Sequence, residues 1–229
     1  MKAARPPKAV LFDLDGTLLD TAPDMAGALN VLRNLEGLAE LPFSDIRPHV
    51  SHGAARLIEI GFSCTEGARF DDLRSRFLEL YRHDLAARTR LFPGLEPVLD
   101  GMDVMGISWG IVTNKPAWLT EPLVDALGLR PRLRCIVSGD TLPRRKPHPD
   151  PLLHAARQMG CVPAECLYVG DAERDVLAGR AAGMRTIVAG FGYIGPGEDP
   201  SAWQADAIVA EPAELAPHLG LPDMRAAAP

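Results

Sequence analysis

Apolar residues along the chain fall into two patterns, short unbroken runs and longer stretches with helical spacing, and their order divides the sequence. The first run, Ala9-Val10-Leu11-Phe12, is too short for a helix and is bounded by Pro6, Pro7 and Gly16, which predicts a buried strand ending at Asp13. Met25, Leu29, Leu32 and Leu35 then recur at helical spacing. They predict an amphipathic helix to about residue 36, with Thr21 or Asp24 as its cap and Pro23 in its first turn. A second helix is predicted over 51–60 with Ser51 as cap, and a third over about 66–88 with Phe70, Leu73, Phe77, Leu80, Tyr81 and Leu85 on one face. Nothing between about 22 and 90 reads as a strand.

Past Leu91-Phe92-Pro93-Gly94 the pattern changes. Strands are predicted at 107–112, 134–137, 166–169 and 185–189, with a further edge strand at 207–209. Helices fall between them at about 95–105, 116–127, 149–160 and 173–182, with a terminal one at 212–219. Residues 224–229 read as a loose tail. Alternating strands and helices imply a parallel sheet covered on both faces. The expected fold class is therefore α/β: a Rossmann-like, doubly wound parallel core of residues 1–18 and 92–229, with an all-helical cap inserted over 19–91. The crossings near 17–22 and 89–93, beside Gly16 and Gly94, are the expected hinges.

Composition narrows the function classes. At 229 residues, 47% hydrophobic and 24% charged, the chain has the make-up of a soluble globular enzyme. A net charge of -6 and a pI near 5.5, with no basic stretch longer than Arg144-Arg145-Lys146, argue against a nucleic-acid partner. An anionic ligand must then be captured locally. The basic N-terminal residues lead into only the four apolar residues before Asp13, and no apolar span reaches membrane length. A cytoplasmic protein with no membrane partner is expected, either monomer or homodimer. Cys64, Cys135, Cys161 and Cys166 lack CxxC spacing, which favours buried thiols over a disulfide or zinc framework.

Candidate chemistry gathers where strands run out, the side on which open α/β sheets bind ligands. The first strand offers Asp13 and Asp15, the second Thr113 and Asn114, the following loop Lys146, and the next strand Asp171 with Asp175 one helical turn on. Two or three carboxylates suit Mg²⁺, which takes oxygen ligands and shares a substrate phosphate. A hydroxyl, an amide and an ammonium can neutralise the remaining phosphate oxygens. Each piece alone has a plainer reading: Asp13 and Asp15 as turn acids, Thr113-Asn114 as a turn, Lys146 as part of a solvated loop, Asp171 as a helix cap. Successive strand ends carrying such residues argue for one site.

The motifs Asp13-Leu-Asp-Gly-Thr-Leu-Leu-Asp-Thr, Thr113-Asn-Lys, Lys146-Pro-His-Pro-Asp-Pro-Leu and Gly170-Asp-Ala-Glu-Arg-Asp, in this order, resemble those of the haloacid dehalogenase-like superfamily. The insert between the first two resembles the helical cap of that superfamily's first subclass. The resemblance implies that Asp13 attacks phosphorus to form an aspartyl-phosphate and that Asp15 is the acid and base. It implies Mg²⁺ held by Asp13, the Asp15 carbonyl and Asp171, with Asp175 as ligand or support, and phosphate held by Thr113, the backbone after it at Asn114, and Lys146.

Within the superfamily, dehalogenases lack the second acid and transport ATPases carry Thr in its place, so Asp15 favours a phosphate monoester hydrolase acting on a small phosphorylated metabolite. A phosphomutase and a non-catalytic binding module are the alternatives. The stretch from Gly139 to Leu152 resembles bacterial phosphoglycolate phosphatases, and 109–116 with 191–206 is similar also to N-acetylmuramic acid 6-phosphate phosphatases. His52, Gly53 and Arg56, at the predicted start of the second cap helix, are the candidates for a substrate carboxylate, since a helix N-terminus and a cation both favour an anion.

Overall fold

A computed structural model describes residues 6–222. Strand β1 (Ala9–Phe12) is buried along its length, and its side chains alternate between two apolar layers, Val10 and Phe12 in one, Ala9 and Leu11 in the other. An apolar run with no polar face belongs at the centre of a covered parallel sheet. The chain then makes β2 (Leu19–Asp20), α1 (Ala22–Leu35), α2 (Phe43–Ile46), a 3-10 turn (Arg47–His52), α3 (Gly53–Phe62), α4 (Ala68–His83) and β3 (Arg90–Leu91). From there α5 (Leu95–Val104), β4 (Ser108–Val112), α6 (Ala117–Ala126), β5 (Ile136–Val137), α7 (Asp150–Gln158) and β6 (Cys166–Gly170) alternate. The described chain closes with α8 (Glu173–Ala181), β7 (Arg185–Ala189), β8 (Ala207–Val209) and α9 (Ala216–Leu219).

The main sheet runs β5-β4-β1-β6-β7-β8 with every pairing parallel. Phe12 lies opposite Ile111 of β4 and Val169 of β6, so the ends of these three strands come out side by side. Strand order reverses on passing from β4 and β5 to β6, which places a crevice at the end of β1. Phe12 meets Trp109 edge-on, centroids 6.2 Å apart, locking β1 to β4 below that crevice. Helices α1, α3 and α4 pack on one another through Met25, Leu29, Leu57, Leu73 and Phe77.

Several expectations shift. The two crossings pair as a short antiparallel ribbon, Leu19 with Leu91 and Asp20 with Arg90, because the chain leaves and re-enters the core at one place. Two-residue strands are too short for periodicity to register. Helix α4 stops at His83 rather than near 88, because the Asp24 carboxylate accepts the Arg88 amide at 2.9 and 3.0 Å and the Thr89 amide and hydroxyl at 2.8 Å. Asp24 therefore does not cap α1, and Thr21 turns its hydroxyl to Asp15 Oδ1 at 2.7 Å instead. Helix α3 begins at Gly53, not Ser51, whose hydroxyl is committed elsewhere. The strand expected over 134–137 is reduced to Ile136–Val137, and the terminal helix splits into a 3-10 turn (Pro212–Leu215) and α9. The tail 224–229 lies outside the described residues. The four thiols are free, and burial pushes those of Cys135 and Cys166 up to about 12, which keeps them protonated. Among the described residues no helix is long and apolar enough to cross a membrane.

Candidate active site

The end of β1 delivers Asp13 into the crevice, its side chain buried. Its Oδ1 accepts the Leu14 amide at 2.7 Å and lies 2.9 Å from Lys146 Nζ. Lys146, brought in by the loop after β5, is also buried and reaches Asp175 Oδ1 at 2.7 Å, Tyr168 Oη at 2.7 Å and the Val112 carbonyl at 3.0 Å. A buried ammonium with this many acceptors is fixed as well as charge-balanced. Burial pushes the Asp13 carboxyl above its usual range, against the pull of Lys146. At Asp175 burial acts the same way, but Lys146 and Arg174 outweigh it and hold the carboxyl below the usual range.

Asp171 follows β6. Its Oδ2 accepts the Ser51 hydroxyl at 2.5 Å and the Tyr193 amide at 3.0 Å, while Oδ1 is buried without a partner. Burial and the charges of Asp13 and Asp175 push it up to about 7. Asp13, Asp171 and Asp175 each present a carboxylate oxygen within 4.8 Å of the others. Three buried acids with one orphaned oxygen, all hard donors, fit a metal ion that prefers oxygen. Gly16 permits this approach: it sits at φ +88°, and a Cβ there would collide with the Asp171 carboxylate.

Over the crevice lies a cavity of about 590 Å³, walled by the strand ends on one side and by the 3-10 turn, α3 and α4 on the other. Asp15 and Thr113 line it. Asp15 accepts Lys115 Nζ at 2.9 Å on Oδ1 and 3.3 Å on Oδ2, and Lys115 also donates to Tyr81 Oη at 3.0 Å. Burial works against the Lys115 charge, yet Asp15 and Tyr81 raise its pKa above the ordinary value, while burial lifts Tyr81 to about 12.

Residues 10–189 match the family described as haloacid dehalogenase-like hydrolase. The chain belongs to the haloacid dehalogenase-like hydrolases. It is 44% identical over 209 residues to a phosphoglycolate phosphatase of Xanthomonas campestris pv. campestris, covering 91% of this chain and 95% of that one. An N-acetylmuramic acid 6-phosphate phosphatase of Pseudomonas aeruginosa is 40% identical over 209 residues, covering 91% and 92%. The crystal structure of a predicted phosphoglycolate phosphatase from Haemophilus somnus 129pt superposes with a TM-score of 0.80 at 25% identity, over 91% of this chain and 96% of that one.

In this hydrolase the residues expected from sequence do not all meet. Asp13, Lys146, Asp171 and Asp175 form one buried cluster. The Asn114 side chain is taken up by the Lys146 backbone, donating to its carbonyl at 3.0 Å and accepting its amide at 3.1 Å, so it holds the Lys146 loop. His52 and Gly53 line the cavity at the start of α3. Burial, then Arg174, lowers the His52 pKa against the pull of Glu198, 3.5 Å away. Arg56 is not among the described residues lining the cavity; its guanidinium pairs with Glu59 at 2.7 Å on its own helix. Several residues carry contacts that sequence reasoning left without a role. Lys115 and Arg174 sit inside quoted motifs, Lys115 just past β4 and Arg174 in the first turn of α8, and that placement was the available signal. Ser51, which reaches Asp171 and the Asp15 carbonyl, and Tyr81 gave none beyond a helix start and an apolar face.

Proposed function

We propose that this phosphatase hydrolyses phosphoglycolate or a close carboxylate-bearing phosphate monoester, through an aspartyl-phosphate on Asp13 and with Mg²⁺ held by Asp13, Asp171 and Asp175. The observation that carries the reading is the buried cluster in which Lys146 touches Asp13 and Asp175 while Asp171 keeps an unpartnered oxygen. Residues 1–18 and 92–229 act as the catalytic core and 19–91 as the cap. When bound, Mg²⁺ supplies positive charge for the phosphoryl oxygens and the developing negative charge.

The chain's own residues do the rest. A carboxylate oxygen of Asp13 forms the new bond to phosphorus as the ester P–O bond breaks, and Asp15 gives the leaving alkoxide its proton. Asp15 then takes a proton from the water that attacks the phosphoryl group, which returns Asp13 and releases phosphate. Lys146 holds Asp13 in place and balances its charge, and Thr113 with the backbone at Asn114 receives the phosphoryl oxygens. The start of α3 at Gly53, ten residues long and facing the cavity, favours a second anionic group on the substrate.

A second reading, N-acetylmuramic acid 6-phosphate, is favoured by the cavity, since about 590 Å³ is far more room than a two-carbon ester fills. Comparing kcat/KM for phosphoglycolate, N-acetylmuramic acid 6-phosphate and simple sugar phosphates decides. Phosphoglycolate is expected to lead the simple sugar phosphates, which lack a carboxylate, by at least about tenfold, the roughly 1.4 kcal/mol of one extra satisfied contact, and to exceed the amino-sugar ester. A higher value for the amino-sugar ester replaces the first reading with the second.

A further inference from the structure

Asp15 is held more firmly on one of its two oxygens than on the other. Oδ1 accepts Thr21 Oγ1 at 2.7 Å and Lys115 Nζ at 2.9 Å, whereas Oδ2 has Lys115 alone at 3.3 Å. A carboxylate anchored mainly through one oxygen keeps the other, here with a single longer contact, in a fixed direction from which it can exchange a proton. The anchor is shared between two parts of the molecule. Lys115 follows β4, while Thr21 stands where the chain enters the insert and Tyr81 lies on α4. Tyr81 Oη is 3.0 Å from Lys115 Nζ, and the ammonium stands 4.5 Å from the Tyr81 ring centroid. The Lys115 side chain is 4% exposed, so its position is set by these partners and not by water. If Lys115 only neutralised charge, one acid would suffice and no contact across the cavity would be needed.

We propose that Lys115 is a positioning residue that fixes Asp15 for proton transfer to the leaving group, and that Tyr81 makes this hold depend on α4 being seated over the strand ends. Proton transfer is thereby coupled to closure of the insert: with α4 withdrawn, Lys115 loses one of its acceptors and Asp15 loses its fixed direction. Substrate entering the cavity meets an acid that is aimed only when the site is closed, which excludes water at the moment the alkoxide leaves. The inference rests on the assignment of Asp15 as the acid in the proposed function.

The test uses the full chain with Mg²⁺ and two substrates that differ in leaving group. Phosphoglycolate releases an alkoxide that needs a proton, and p-nitrophenyl phosphate releases a phenolate that does not. kcat/KM is the readout, because it includes departure of the leaving group and excludes later hydrolysis of the phosphoenzyme. Lys115→Met is expected to lower kcat/KM on phosphoglycolate by about 100-fold, the lower end of what general acid catalysis supplies, and on the aryl ester by less than about tenfold. Tyr81→Phe, which removes one hydroxyl, should show the same selectivity on a smaller scale, about fivefold against twofold. It stands as an independent test if Lys115→Met does not fold. Equal losses on the two substrates, or no loss, in whichever of these variants folds would overturn the inference. Asp15→Asn separates the two levels. If it is selective for phosphoglycolate while the Lys115 and Tyr81 variants are not, the inference alone fails; if it is not selective, the acid assignment fails and the inference with it.

Discussion

At the sheet end of the site most charged groups are buried and have several partners; Lys146, from the loop after β5, touches Asp13, Asp175, Tyr168 and a carbonyl. On the insert, Arg74 lines the same cavity while exposed to solvent and has no acidic partner among the described residues. Charges that folding has already oriented need no reorganisation during reaction, so the strand ends are suited to the bond changes common to all phosphate esters. Loosely held cations lose more entropy on binding and can follow different ligand shapes, which suits them to choosing among esters. Some contacts cross this division. Ser51 reaches from the 3-10 turn to Asp171, and Tyr81 from α4 to Lys115.

The largest effect should come from Asp13→Asn, which keeps the shape and removes the nucleophile: kcat is expected to fall by about 10⁴-fold or more with far-UV circular dichroism unchanged. Next is Lys146→Met. It leaves two buried carboxylates without their ammonium, so activity should drop steeply and denaturant unfolding should show a loss of about 3 to 5 kcal/mol. An Arg74→Ala variant, by contrast, should not alter unfolding beyond about 0.5 kcal/mol. If Arg74→Ala matched the stability loss of Lys146→Met, the contrast between the two walls would collapse.

A smaller effect concerns pH. Without divalent cation, Asp171 is held up to about 7, so the folded protein keeps a proton that the unfolded chain releases near the ordinary aspartate value. Its contribution is complete below that ordinary value and is lost as pH rises through about 7. Melting temperature in chelator should therefore decline between about pH 5 and about pH 8, and added Mg²⁺ should recover most of the loss at the upper end. A melting temperature that rises over this range, or that Mg²⁺ leaves unmoved, would count against the acid cluster as a metal site. The smallest effects lie on the insert. Arg74→Ala should raise KM for carboxylate-bearing esters about three- to tenfold relative to neutral ones, and Arg56→Ala, whose side chain pairs with Glu59, should stay within about twofold. The reverse order of these two would favour Arg56 as the contact to substrate.

What could be read from the sequence follows the same division. β1 was legible because a strand covered on both faces is a solid apolar run, and the acids stand where the run stops. The sheet end of the site is therefore written in local pattern. Asp24 shows the opposite: as a turn acid it resembles a cap, and its bonds to Arg88 and Thr89 lie 64 and 65 residues away, beyond any local signal. Tyr81 belongs to the apolar face of α4 as its spacing says, but spacing describes the body of a side chain and not what its hydroxyl touches. The pairing of Arg56 with Glu59 was also within local reach, since Glu59 stands three residues on, at the distance where helix side chains pair.

Trapping the covalent intermediate tests the central claim most directly. An Asp15→Asn variant given p-nitrophenyl phosphate and Mg²⁺ can lose its phenolate without an acid but has no base to clear the phosphoenzyme. After acid quench, peptide mass spectrometry should find one phosphoryl group, on Asp13, in amounts matching the burst of phenolate. A burst with phosphate on another residue, or single-turnover release with no covalent phosphoryl group, would contradict the assignment of Asp13 as nucleophile.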